Sequence, residues 1–230
     1  MSTTRILEVR KGILKKNDLL AAELRKRYEA ADVRVINLVS SPGTGKTALL
    51  ENTLNKMVER GISPAVLVGD LATDNDAQRL ARTGVPVRQI STQGRCHLDA
   101  EMISQHLEGW DLDTIDILFI ENIGNLVCPS SYDLGEQLRA VLLSVTEGED
   151  KPLKYPGIFN TADLAVLTKM DIAVACDFDH ELATANIHEV RPELPVLHTS
   201  AKKGDGLDAL VDYLIDAVRP VAVAATGTGG

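Results

Sequence analysis

Seven short apolar runs punctuate the chain, at 33–39, 65–68, 87–90, 115–120, 140–145, 164–167 and 195–198. They are continuous rather than alternating, as expected of strands covered on both faces and therefore largely parallel. Between them apolar positions recur at helical spacing, which predicts helices over 47–60, 75–82, 98–107, 178–189 and 207–218. A leading helix is predicted over 17–31, with Asn17 or Asp18 as its cap and Leu19, Leu20, Leu24 and Tyr28 on its apolar face. The segment EGEDKPLKYPG at 147–157 reads as an excursion at the sheet edge, its acidic start a solvated loop. The fold class is therefore α/β, a mostly parallel twisted sheet with helices on both faces, in one domain over 1–219. The tail 220–230, rich in small residues, is expected to be flexible.

The first strand runs into SSPGTGKT at 40–47, and a helix follows at once. This is the strand–loop–helix grammar of a P-loop NTPase, although Ser40 stands where the strict pattern has glycine. Backbone N–H groups of Ser41, Gly43, Thr44, Gly45 and Ala48 can close around phosphate oxygens, with the positive end of the helix behind them. Lys46 reaches the β- and γ-phosphates, and Thr47 offers a hydroxyl to Mg²⁺.

Two later strand ends supply a base pocket on the same rim. TKMD at 168–171 presents Asp171, whose carboxylate can accept both N1–H and N2–H₂ of guanine, and Lys169, whose stem can cover the ring. Ser200, Ala201 and Lys202 end the next strand, where a backbone N–H can meet guanine O6. Thr168 replaces the amide that usually ties this loop to the P-loop. GTP and GDP are thus favoured over adenine nucleotides. Carboxylates end two more strands, Asp70 in GDLATDND and Glu121 in ENIGN, and both are candidate magnesium ligands beside Thr47. Gly124 can bring its N–H to the γ-phosphate. Asp74 reads equally as a helix cap or a site residue, and Asp76 as helix N-terminal charge. With Lys46, Thr47, Asp70, Glu121 and Gly124 as the hydrolytic set, no residue stands out as positioning the attacking water, so slow intrinsic turnover is expected.

The net charge of −9 argues against binding a nucleic-acid backbone. No apolar run approaches the ~20 residues that span a bilayer, and the first residues lack a signal-peptide pattern, so a cytoplasmic location without membrane partners is expected. The cysteines number three, which does not describe a disulfide framework. Cys96 and His97 are adjacent in QGRCHLD, and Cys128 closes ENIGNLVC. Thiolate and imidazole suit Zn²⁺ or Ni²⁺; small buried apolar cysteines are the equally open alternative. Gly124 and Cys128 lie four residues apart, at most ~14 Å. Cys176 reads as a core or helix-start residue, His106 and His188 as ordinary helix positions, and His180 and His198 lack any partner signal.

KNDLLAAELR, SSPGTGKT, GDLATDNDAQRL, CHLDAEMI, FIENIGNLVCP and TKMD together resemble the hydrogenase nickel-incorporation GTPases, the HypB family, from about residue 17 to residue 218. The resemblance implies that Cys96, His97 and Cys128 form a nickel or zinc site shared across a GTP-promoted homodimer. It also implies delivery to a hydrogenase large-subunit precursor alongside other nickel-insertion accessory proteins. The family's cysteine-rich and histidine-rich nickel segments have no counterpart here, which leaves delivery rather than storage. Ser41 takes the place of a second P-loop lysine. A urease-type nickel GTPase remains an alternative, as do an ATP-dependent small-molecule kinase and a nucleotide-binding protein with structural cysteines only.

Overall fold

The structure, a computed structural model, describes residues 3–70, 75–92 and 94–217, without the side chains of residues 3–10 and of Asp70. The role expected of Asp70 as a magnesium ligand, the cap expected of Asp74 and the tail 220–230 lie outside the described residues.

Helix α1 (Thr3–Ala30) leads into β1 (Arg34–Ser40), α2 (Lys46–Glu59), β2 (Pro64–Asp70), α3 (Asn75–Ala81), β3 (Val87–Ser91), α4 (Ala100–His106) and β4 (Ile117–Gly124). After β4 come β5 (Leu138–Ser144), α5 (Lys151–Lys154), α6 (Pro156–Asn160), β6 (Leu164–Thr168), α7 (His180–Val190), β7 (Val196–His198) and α8 (Leu207–Ala217). The seven strands form one sheet in the order β3-β2-β4-β1-β5-β6-β7, and every pairing is parallel. Buried clusters cover both faces. Leu50, Leu54 and Met57 of α2 meet Leu210 and Leu214 of α8 over one, and Leu24 and Tyr28 of α1 meet Ile103 of α4 over the other. That double cover is why the strands read as unbroken apolar runs.

From β1 the chain moves outward to β2 and β3, returns by β4, then crosses to β5 on the other side. The loop after β1 therefore opens at the point where strand order reverses, the place where open α/β sheets hold ligands.

Three expectations change. Helix α1 begins well before residue 17, so Asn17 is no cap. It is buried inside the helix, donating from Nδ2 to the Asp133 carbonyl (2.8 Å) and accepting from Ala100 N (2.9 Å). Leu19 points to solvent at 62 % exposure, whereas Leu20, Leu24 and Tyr28 pack as expected and are joined on that face by Asn17 and Ala21. The segment after β5 is no edge excursion. β5 lies inside the sheet between β1 and β6, and residues 151–160 form the short helices α5 and α6. Nor is Glu147 a solvated loop residue, since its Oε1 accepts from Thr44 Oγ1 (2.7 Å) and Ser144 N (3.1 Å).

A buried polar chain locks the middle of the sheet to the segment after β4. Arg139 donates to Glu136 Oε1, to the Tyr132 carbonyl and to Thr161 Oγ1, while Asn37 donates to the same Glu136 oxygen. An ion pair buried this deeply has its remaining polar positions filled, as its burial demands.

Candidate functional site

Loop 41–45 takes its shape from its glycines. Gly43 (φ +75) and Gly45 (φ +96) occupy the left-handed region, which costs other residues strain. Ser40 needs no such freedom. It is the last residue of β1, fully buried, and its hydroxyl accepts from Lys46 Nζ (2.9 Å). The departure from the strict pattern thus falls where backbone geometry does not demand glycine. Lys46 opens α2, with its side chain lying back along the loop that phosphates would fill.

Thr47 Oγ1 donates to Glu121 Oε1 (2.7 Å), so the hydroxyl and the carboxylate converge where the P-loop meets the end of β4. Two oxygen donors in contact beside a phosphate loop fit a hard divalent cation. A cleft of about 410 Å³ runs over them, lined by Lys46, Thr47, Asp76, Glu121 and Gly124. Asp76 therefore faces the cleft as well as charging the first turn of α3.

An adjoining cleft of about 460 Å³ holds Lys169, Asp171, Ala201 and Lys202, expected for a base, together with Thr44, Gly45 and Ala48 of the phosphate cradle. Lys169 (φ +60) reaches across to donate to the Gly43 carbonyl (2.7 Å), and its Cε lies 3.5 Å from where a Cβ on Gly45 would stand. Asp171 is oriented by Ser200, whose Oγ donates to Oδ1 (2.7 Å). Thr168 keeps the tie that its amide counterpart would make, donating from Oγ1 to the Thr44 carbonyl (2.8 Å). A hydroxyl suffices because β6 brings the two loops within a single hydrogen bond. Sequence reasoning missed Arg79 and Asn52, which line this cleft from α3 and α2, and Glu147, which pins Thr44. No pattern in the chain marks any of the three.

The metal candidates converge too. Cys96 Sγ lies 2.7 Å from Cys128 Sγ and 3.7 Å from His97 Nδ1, and one ligand atom from each residue falls within 4.8 Å of the others. Both thiols are free. The neighbouring Cys128 thiol, then burial, holds the Cys96 thiol above its ordinary pKa. Burial lowers the pKa of His97, which favours the neutral imidazole a metal ligand must be. Its ring stacks on Tyr132, centroids 3.8 Å apart, and that fixes its orientation. A tetrahedral ion with ~2.3 Å thiolate bonds would set its sulfurs ~3.7 Å apart, so binding needs the pair to open by only about 1 Å. Three donors leave a fourth position available. Cys176 sits elsewhere, exposed at the end of a turn before α7, and neither packs in the core nor starts a helix.

The two sites meet at the end of β4. Leu38 pairs with Glu121 but Ser40 pairs with Gly124, so β4 carries an extra residue there, a bulge that re-aims the chain toward the P-loop. A Cβ on Gly124 would stand 2.9 Å from both the N and Cα of Pro42. Such an overpacked contact costs about 1–3 kcal/mol or pushes the segments apart. Gly124→Ala is therefore expected to slow triphosphate turnover at least several-fold while diphosphate binding stays close to normal. Steady-state phosphate release and a diphosphate titration check both halves.

Residues 34–198 match the family model for the CobW/HypB/UreG nucleotide-binding domain. The hydrogenase maturation factor HypB of Azotobacter vinelandii is 49% identical over 207 residues, covering 90% of this chain and 68% of that protein. The chain belongs to the HypB family. Among solved structures, HypB from Helicobacter pylori in complex with nickel superposes with a TM-score of 0.84 at 41% identity, covering 89% of this chain and 95% of that one. HypB from Archaeoglobus fulgidus gives 0.83 at 35% identity, over 89% of this chain and all of the other. The mostly parallel P-loop sheet expected from the apolar runs proves parallel throughout, and it is the HypB family's fold. Membership makes this a nucleotide-binding P-loop domain of the nucleotide-hydrolysing kind. No helix among the described residues is long and apolar enough to cross a membrane.

Proposed function

We propose that this protein is a GTP-hydrolysing metallochaperone that carries nickel, or zinc in its place, and assists nickel insertion into hydrogenase. One observation carries the reading: the thiols of Cys96 and Cys128 touch at 2.7 Å with His97 beside them, directly beyond a bulge that abuts the P-loop. Nickel is the cargo. The soft, three-point donor set suits Ni²⁺ or Zn²⁺ and does not suit Mg²⁺.

Guanine is selected by Asp171, which Ser200 holds in place and Lys169 flanks. Thr47 and Glu121 would hold Mg²⁺, which supplies charge neutralisation at the β- and γ-phosphates. The chain's own residues do the rest. Lys46 leaves Ser40 for the phosphates, loop N–H groups orient them, and Gly124 presents its N–H from the bulge. When the γ-phosphate leaves, that contact is lost and the segment 121–128 relaxes, carrying Cys128 with it. The donor set then loses its convergence and nickel passes on. A homodimer promoted by GTP would place two such sets face to face and fill the open coordination position. The receiving proteins are the hydrogenase large-subunit precursor and its nickel-insertion accessory partners. The named relative from Azotobacter vinelandii and the nickel complex from Helicobacter pylori support the hydrogenase and nickel parts of this reading.

Titration of the purified protein with nickel and with zinc, under GTP, GDP and no nucleotide, tests it while solution mass is followed. Nickel binding at micromolar or tighter affinity that depends on the nucleotide, with a mass increase under GTP, is the expected outcome. Nickel binding that is absent or indifferent to nucleotide would remove the metallochaperone assignment.

A further inference from the structure

The covalent link from Gly124 to Cys128 explains how one metal ligand follows the nucleotide. It leaves the other two unexplained, because Cys96 and His97 arrive on a different loop, between β3 and α4. Two asparagines gather that loop onto the same bulge. Asn122, almost fully buried, accepts at Oδ1 from Leu98 N (3.3 Å), next to His97, and from Ile123 N (2.9 Å), while its Nδ2 donates to Asn37 Oδ1 (3.3 Å). Asn125 sits one residue beyond Gly124 with its two ends divided between the limbs. Its Oδ1 accepts from Val127 N (2.7 Å) and Cys128 N (3.4 Å), and its Nδ2 donates to the carbonyl of Cys96 (3.2 Å).

We propose that Asn125, backed by Asn122, is the positioning residue that makes the Cys96–His97 limb move with the nucleotide-sensing bulge. This rests on the nucleotide-linked nickel binding proposed above and deepens it: all three ligands, from two distant parts of the chain, answer to one glycine. The primary amide is suited to the task, since it donates and accepts at once from a short planar group. A plainer account makes Asn125 the first residue of an Asx turn that shapes 125–128. That account covers Oδ1 but gives no reason for the bond from Nδ2 to a carbonyl 29 residues away in sequence.

Asn125→Asp separates the two. The carboxylate still accepts from Val127 N and Cys128 N, which preserves the turn, but it has no donor for Cys96 and sets a negative charge against its carbonyl. Nickel dissociation constants are measured by chelator competition on the full chain, wild type and variant, loaded with a non-hydrolysable GTP analogue or with GDP. Nucleotide affinity and thermal midpoint are followed in parallel. A coupling of about tenfold between the two nickel constants, ordinary for linked sites, is expected in the wild type. In Asn125→Asp it should fall to within about twofold, with nucleotide affinity and midpoint unchanged, and the near-ultraviolet thiolate–nickel band should stop responding to nucleotide. A variant that retains the wild-type ratio would overturn the proposal. So would one that loses nickel affinity equally in both nucleotide states, since that marks a purely structural residue. If the wild type itself shows a ratio of one, the nucleotide-linked nickel binding proposed above fails, and the role of Asn125 falls with it for want of anything to transmit.

Discussion

Cys128→Ala is expected to lower nickel affinity by well over 100-fold and to leave GTP binding where it was. The magnitude follows from the size of the donor set. With three ligands converging within 4.8 Å, loss of one leaves an adjacent Cys–His pair, and two donors in sequence do not define a site. Removing even an outer partner of a metal ligand typically costs ~10–100-fold, so removal of a ligand must cost more. Nucleotide binding should survive because Cys128 lies in the short turn after the bulge and does not line either nucleotide cleft. Equilibrium dialysis against nickel, paired with a GTP titration, reads both quantities. Nickel binding unaltered by the substitution would reduce the protein to a nucleotide-binding domain with structural cysteines.

Asp171→Asn is expected to exchange guanine for xanthine. The carboxylate lines the cleft with Ser200 holding one oxygen, and under the proposed guanine assignment it accepts from the N1–H and N2–H₂ groups of the base. Hydrogen bonds to a charged acceptor contribute about 1.5–3 kcal/mol each, so keeping one on a neutral oxygen and setting an amide N–H against the other guanine donor weakens GTP by at least ~1.5–3 kcal/mol, or about 10–10²-fold or more. An asparagine amide can instead donate to the 2-oxo group that xanthine carries, which should raise XTP affinity in the same variant. Competition of XTP, GTP and ATP against a fluorescent guanine nucleotide measures the exchange. A variant that binds GTP as well as the wild type would move base selection to other residues of the pocket and remove the main support for guanine.

Much of this arrangement could be read from the chain, and for a physical reason. Strands buried on both faces write themselves as unbroken apolar runs, and a phosphate loop writes itself as glycines flanking a lysine. The cluster Cys96–His97–Cys128 was legible as chemistry but not as geometry, because only the return of β4 beside β2 brings the two loops together. Hydrogen bonds between distant polar residues left no trace. Asn17 resembled a cap because asparagine is a common one, and its burial against Asp133 and Ala100 depends on α4 packing across α1. Glu147 resembled a solvated acid because it sits among acids, yet its carboxylate pins Thr44. Thr168 resembled a lost contact, and the structure replaces that contact with a hydroxyl. In each case residue type was visible and the partner was not.

In the proposed mechanism one bulge couples the phosphate loop to Cys96, His97 and Cys128. X-ray absorption at the nickel edge, on nickel-loaded protein with GDP and then with a non-hydrolysable GTP analogue, addresses it at the atoms concerned. Sulfur and imidazole scattering from Cys96, Cys128 and His97 is expected, with a reproducible change in number or distance of those ligands between the two nucleotides. Superimposable spectra in the two states would contradict that coupling.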